Sequence, residues 1–149
     1  MKIAVGSDHG GLELKKEILR YLQDNDHEFE DLGAYTNESC DYPKYGVAVA
    51  EAVVSGLFEK GIIICGTGQG IALAANKVKG ARAVVCSDTF SAEMTRAHND
   101  ANILSLGERV VGKGLALKIV ETWLNTEFEG GRHASRVGLI KATEDKNFK

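Results

Sequence analysis

Cys65 closes the apolar run Ile62-Ile63-Ile64 and opens Gly66-Thr67-Gly68-Gln69-Gly70, three glycines at alternate positions. The following Ile71-Ala72-Leu73-Ala74-Ala75-Asn76 has helical character. The pattern predicts a buried strand, a tight turn and a helix start. A helix start presents free backbone N–H groups and the positive end of the macrodipole, so it attracts anions. A cysteine placed there loses its proton more easily than a free one. The segment thus offers a thiolate beside a cradle for negative charge. Three readings stay open on these residues alone: a nucleophile, a phosphate site, or a tight strand-to-helix turn without chemistry.

Other candidates sit at predicted element ends. Asp8 and His9 stand in Gly6-Ser7-Asp8-His9-Gly10-Gly11, where Asp8 also suits a helix cap and His9 a solvated position. His98 lies in Arg96-Ala97-His98-Asn99-Asp100, after a predicted helix and before a predicted strand. That position is the amino end of a parallel sheet, away from Cys65. His98 is therefore either a solvated helix-end histidine or part of a site shared across a dimer interface. Arg132 and Arg136 are four apart, on one helical face, and two guanidinium forks so placed suit a phosphate as well as they suit a solvated basic face. Arg109 follows another strand, in Gly107-Glu108-Arg109-Val110.

The glycine loop does not carry a nucleotide fingerprint. Asp31 follows Gly11 by twenty residues, near the spacing of a ribose-binding acid, but G-x-G-x-x-G is absent and Ile71 stands where its third glycine belongs. No P-loop Lys-Ser/Thr follows either, the first downstream lysine being Lys77. A non-catalytic nucleotide-binding module and a thiol hydrolase or transferase are the rival classes. The first lacks its fingerprint, and the second lacks nucleophile-elbow spacing.

The elements that must position these groups alternate between strand and helix. Strands are predicted at Lys2–Gly6, Glu28–Leu32, Ile62–Cys65, Ala81–Cys86 and Ile103–Leu106. Helices are predicted at Gly10–Asp24, Pro43–Gly56, Gly70–Lys77, Ser91–His98, Gly112–Asn125 and Ala134–Lys141, with Thr143–Lys149 as a frayed tail. The first helix turns Leu12, the stem of Lys15, Ile18, Leu19 and Leu22 inward, and the second turns in Val47, Ala50, Val54 and Leu57. This order predicts an α/β, doubly wound, Rossmann-like domain over 1–149, its parallel sheet of five strands covered by helices on both faces. Ligands in such folds bind at the carboxyl ends of the strands.

A formal net charge of −3 gives no reason to expect nucleic acid or a membrane surface as partner. No apolar stretch nears the ~20 residues that span a bilayer, and Met1-Lys2-Ile3-Ala4-Val5 is too short for a signal peptide. The expected location is cytoplasmic. Three cysteines without C-x-x-C spacing argue against a disulfide framework and a structural zinc site. Cys86 reads as a small buried hydrophobe and Cys40 as a loop thiol.

Seven motifs in order resemble one family, the type B ribose-5-phosphate isomerases related to galactose-6-phosphate isomerase. They are Gly6-Ser7-Asp8-His9-Gly10-Gly11, Asp41-Tyr42-Pro43, Cys65-Gly66-Thr67-Gly68-Gln69-Gly70, Ala74-Ala75-Asn76-Lys77, His98-Asn99-Asp100, Gly107-Glu108-Arg109-Val110 and Glu129-Gly130-Gly131-Arg132-His133. The resemblance implies a metal-free, cofactor-free aldose–ketose isomerase whose active sites lie between subunits of a homodimer, or of a homotetramer built from dimers. It implies Cys65 as the base moving a proton between C1 and C2, His98 as the ring-opening acid–base group, and Thr67 as an assistant. It further implies that Asp8, His9, Tyr42 and Asn99 contact sugar hydroxyls. The backbone of Gly66, Thr67, Gly68, Gln69 and Gly70 would face the enediolate, and Arg109, Arg132 and Arg136 the phosphate. One branch of the family uses a loop glutamate in place of the cysteine; that position is Ile71 here. The implied substrate is ribose 5-phosphate, with allose, allose 6-phosphate and galactose 6-phosphate as alternatives.

Overall fold

The computed structural model describes residues 1–148. Among them, strands β1 (Lys2–Ser7), β2 (Glu28–Asp31), β3 (Lys60–Cys65), β4 (Ala83–Val85) and β5 (Ile103–Gly107) form one parallel sheet in the order β2-β1-β3-β5-β4. The helices are α1 (Leu12–Asp24), α2 (Tyr42–Val54), α3 (Gln69–Ala75), α4 (Thr89–Ala97), α5 (Lys113–Leu124) and α6 (Arg132–Asn147), with a 3₁₀ turn at His9–Gly11 leading into α1. The expected doubly wound α/β architecture is the one observed.

β3 is central because it is apolar on both faces. Ile62 and Ile64 join Ile18 and Leu22 of α1 and Ile119, Val120 and Trp123 of α5 in one core. Ile63 and Cys65 point the other way, into a second core with Val49, Ala50 and Val53 of α2 and Ile71, Ala72 and Ala75 of α3. The period of two along the strand thus sends alternate side chains into different helical layers. Each buried isoleucine contributes about 1.5–3 kcal/mol, which fixes the run at the middle of the sheet and carries Cys65 to its carboxyl edge.

Three expectations need correction. First, α2 buries Gly46, Val49, Ala50 and Val53, while Val54 and Leu57 are 40% and 75% exposed and Val47 is half-buried. The inward stripe follows Gly46, the point of closest approach between α2 and α3: a Cβ there would lie 2.6 Å from the Ile71 carbonyl oxygen. Second, Lys15 is buried along its whole length, not only its stem, because Asp31 Oδ1 accepts from its ammonium at 2.7 Å and the Ala34 carbonyl accepts a second bond. Third, the stretch expected to fray continues α6 to Asn147. Glu144 Oε1 accepts from the Gly80 N–H at 2.9 Å and Asp145 pairs with Lys79 at 3.1 Å, pinning the helix to the α3–β4 turn. Lys149 lies outside the described residues.

The winding reverses between β1 and β3. From β1 the chain passes outward to β2, whereas β3 and its successors lie on the other side. The segments leaving the carboxyl ends of β1 and β3 therefore run to helices on opposite faces, α1 and α3, and leave a crevice between them, the ligand-binding position of open parallel sheets.

Candidate active site

The loop after β3 turns back on itself through Gly68, whose φ of +81° is left-handed. A side chain at Gly68 would be strained in that conformation and would press within 3.0 Å of the Leu106 carbonyl carbon. The turn brings the Gly68 N–H onto Cys65 Sγ at 3.1 Å, and Ser105 Oγ locks it from below by donating to the Gly68 carbonyl at 2.6 Å. Cys65 is 5% exposed, so its sulfur has a fixed donor and a restricted opening. The Gln69 N–H donates to Thr67 Oγ1 at 3.2 Å. With Gly68 and Gln69 so engaged, the amides of Gly66, Thr67 and Gly70 are those of the loop with no acceptor among the described residues.

Neighbouring elements close around this loop. The Glu108 and Arg109 amides donate to the Cys65 and Gly66 carbonyls at 2.9 and 3.0 Å. The Arg109 guanidinium lies over Gly66, its Nη1 3.4 Å from where a Gly66 Cβ would stand. The Tyr42 ring lies against Gly70 at a distance that leaves no room for a side chain there. Asp8, at the end of β1, accepts from the Gly11 N–H at 3.2 Å through Oδ1, and its own amide donates to the Ile64 carbonyl at 3.3 Å. The capping role read from the sequence is thus real, and it places Asp8 at the crevice. The Cys40 N–H donates to His9 Nδ1 at 3.2 Å. That assigns the neutral-ring proton of His9 to Nε2.

Cys65, Thr67, Gly66, Gly68, Gln69, Gly70, Asp8, His9, Tyr42 and Arg109 therefore gather at one edge. His98, Asn99, Arg132 and Arg136 do not. His98 caps the C-terminus of α4, five residues before β5 begins. β5 rises about 3.3 Å per residue, so the two edges are roughly 15 Å apart. Arg132 and Arg136 are exposed on the first turns of α6. At this second edge the His98 and His133 rings stack, centroids 4.1 Å apart and planes 11° from parallel. Glu129 Oε1 lies 3.8 Å from His98 Nε2 and 3.5 Å from His133 Nε2. Burial lowers the His133 pKa from its ordinary value, with further lowering from His98, Arg132 and Arg136 and an opposing pull from Glu129. Sequence reasoning assigned no role to His133 or Glu129; their i, i+4 spacing was the available signal.

The ribose/galactose isomerase family model matches residues 3–140. The chain belongs to that family. It is similar to ribose-5-phosphate isomerase B of Escherichia coli, with 51% identity over 97% of each chain. Its fold superposes on ribose-5-phosphate isomerase B of Clostridium thermocellum with a TM-score of 0.97, at 60% identity, covering 98% of this chain and 99% of the other. The Mycoplasma genitalium ribose-5-phosphate isomerase B with bound ribulose 5-phosphate gives a TM-score of 0.94 at 40% identity, covering 98% of this chain and 97% of the other. In this chain the glycine loop and the thiol lie at the reversal point of the sheet. No helix among the described residues is long and apolar enough to cross a membrane.

Proposed function

We propose that the protein interconverts ribose 5-phosphate and ribulose 5-phosphate without a metal or cofactor. The observation that carries this reading is the Cys65 sulfur at the crevice, held by the Gly68 N–H at 3.1 Å beside loop amides that have no acceptor among the described residues. In the open-chain aldose, the Cys65 thiolate takes the C2 proton. The C2–H electron pair forms the C1=C2 bond, and the carbonyl π electrons move to O1. The resulting enediolate is an oxyanion, which the amides of Gly66, Thr67 and Gly70 face. Aimed donors of this kind are worth about 3–4 kcal/mol each in oxyanion holes. The O2 proton then passes to O1, Cys65 returns its proton to C1, and the carbonyl stands at C2. Asp8, His9 and Tyr42 hold sugar hydroxyls, Thr67 assists beside the thiol, and Arg109 takes the phosphate.

Ring opening and the remaining phosphate contacts need the other edge. We assign these to a homodimer in which the partner subunit's His98, the partner subunit's Asn99, the partner subunit's Arg132 and the partner subunit's Arg136 complete each site. The separation of the two edges within one chain supports this arrangement. Three free cysteines fit a reducing cytoplasm.

The test is ketose formation from ribose 5-phosphate with and without EDTA, with allose 6-phosphate and galactose 6-phosphate in parallel. Ketose from ribose 5-phosphate at equal rates in both conditions is expected. No ketose would sink the reading, and loss in EDTA would sink its metal-free form. Cys65→Ala should lower turnover by about 10²–10⁴-fold, the usual worth of a positioned acid–base group. It should also stop exchange of the C2 proton with solvent.

A further inference from the structure

The second edge holds a three-residue arrangement that the isomerisation steps leave unexplained. Glu129 sits in the connection between α5 and α6, its amide bonded to the Ala97 carbonyl at 3.0 Å, one residue before His98. His133 follows in the first turn of α6, its amide bonded to the Gly130 carbonyl at 3.1 Å. These two bonds set the imidazoles face to face and bring both Nε2 atoms toward one carboxylate oxygen. His133 Nε2 is buried and has no hydrogen-bond partner among the described residues. The distances to Glu129 are ion-pair distances, and catalytic contacts commonly tighten only when substrate binds. A shared metal ion is a poorer fit. Imidazole lone pairs lie in the ring plane, and near-parallel stacked rings aim them side by side, not at one point.

We propose that Glu129 is a positioning residue for His98. Its carboxylate, shared with His133, draws the His98 Nε2 hydrogen and holds the ring flat, so that Nδ1 is the nitrogen offered to the sugar. Besides His98, the charged groups that act on His133 are Glu129 from the α5–α6 connection and Arg132 and Arg136 from α6. Both arginines are cationic, which leaves Glu129 as the acceptor on that side. This proposal rests on the reading of His98 as the ring-opening group.

The experiment uses full-length protein with ¹⁵N-labelled histidine, the His98 signals being assigned by their loss in His98→Asn. In the wild type His98 should show the Nε2–H tautomer. Glu129→Ala should move the balance toward Nδ1–H and slow cyclic ribose 5-phosphate about five-fold, the scale of an exposed ion pair. Turnover of an open-chain analogue should stay the same. Glu129→Gln keeps an acceptor without the charge, so it should preserve the tautomer while displacing the acid limb of the pH–rate profile. Unchanged nitrogen shifts and an unchanged pH profile in Glu129→Ala, with an unaltered thermal midpoint, overturn the proposal. Failure of the underlying reading looks different: His98→Asn would then slow cyclic and open-chain substrates equally, whatever the nitrogen shifts report.

Discussion

Cys65 and Cys86 both follow apolar strand residues, yet their surroundings separate them. Cys65 receives the Gly68 N–H; the Cys86 thiol receives no donor among the described residues, and burial, aided by the nearby negative charge of Asp88, pushes its pKa up to about 11. The folded protein therefore keeps a proton that the unfolded thiol releases near pH 9. In that window the native state binds more protons, so stability falls as pH rises from about 9 to 11, by up to about 3 kcal/mol. Urea denaturation across this range should show the decline, and Cys86→Ala should flatten it. An equally steep decline in the variant would assign the effect to other groups. Cys65 was legible in the sequence because its environment is local: an apolar run before it and glycines after it. Burial of His133 and of the Lys15 ammonium was not, because their partners come from elements distant in sequence.

Strand and helix existence followed from hydrophobic period, while faces and ends depended on contacts. The α2 stripe turned out to be centred on Gly46, a residue with no side chain to mark it. The α6 terminus was read as loose because Glu144 and Asp145 look like solvated charges until the α3–β4 turn comes beside them. Lys15 has the same character. It ties α1 to Asp31 and to the Ala34 carbonyl, and Asp31 Oδ1 also accepts from the Gly33 N–H at 2.9 Å. Together they fix the start of the segment that delivers the Cys40 amide to His9. Lys15→Met strips Asp31 of its cation and leaves the Ala34 carbonyl without its ammonium donor, and should cost about 1–3 kcal/mol. Limited proteolysis should show earlier cleavage between residues 33 and 41, and KM should rise more than kcat falls. Unchanged proteolysis would mean that the loop is held by other contacts.

At the level of the molecule, the sheet order explains why one chain divides its candidate site. The thiol edge is built from β1, β3 and β5, and the histidine–arginine edge from the C-terminal end of α4 and the first turns of α6. Linear sequence already implied that His98 lies at the wrong end for Cys65; it could not show the stacked pair that occupies that end. A mixing experiment follows. Cys65→Ala and His98→Asn should each be impaired alone, and co-refolding them in equal amounts should restore about one quarter of wild-type activity. Random pairing makes half the dimers mixed, and each mixed dimer has one intact site. Activity no greater than the sum of the two variants would place both residues of each site in a single chain.

The distance between the two edges also bears on chains that have not yet met a partner. A single subunit presents the thiol edge with Arg109 alone, while Arg132 and Arg136 stand exposed on the first turns of α6, at the other edge. On the proposed roles, such a chain would carry the proton-transfer group but only a fraction of the grip that holds a sugar phosphate against it. In the proposed homodimer, pairing would then work as a chemical interlock: the reactive sulfur would gain a well-held substrate only when a second chain supplied the clasp.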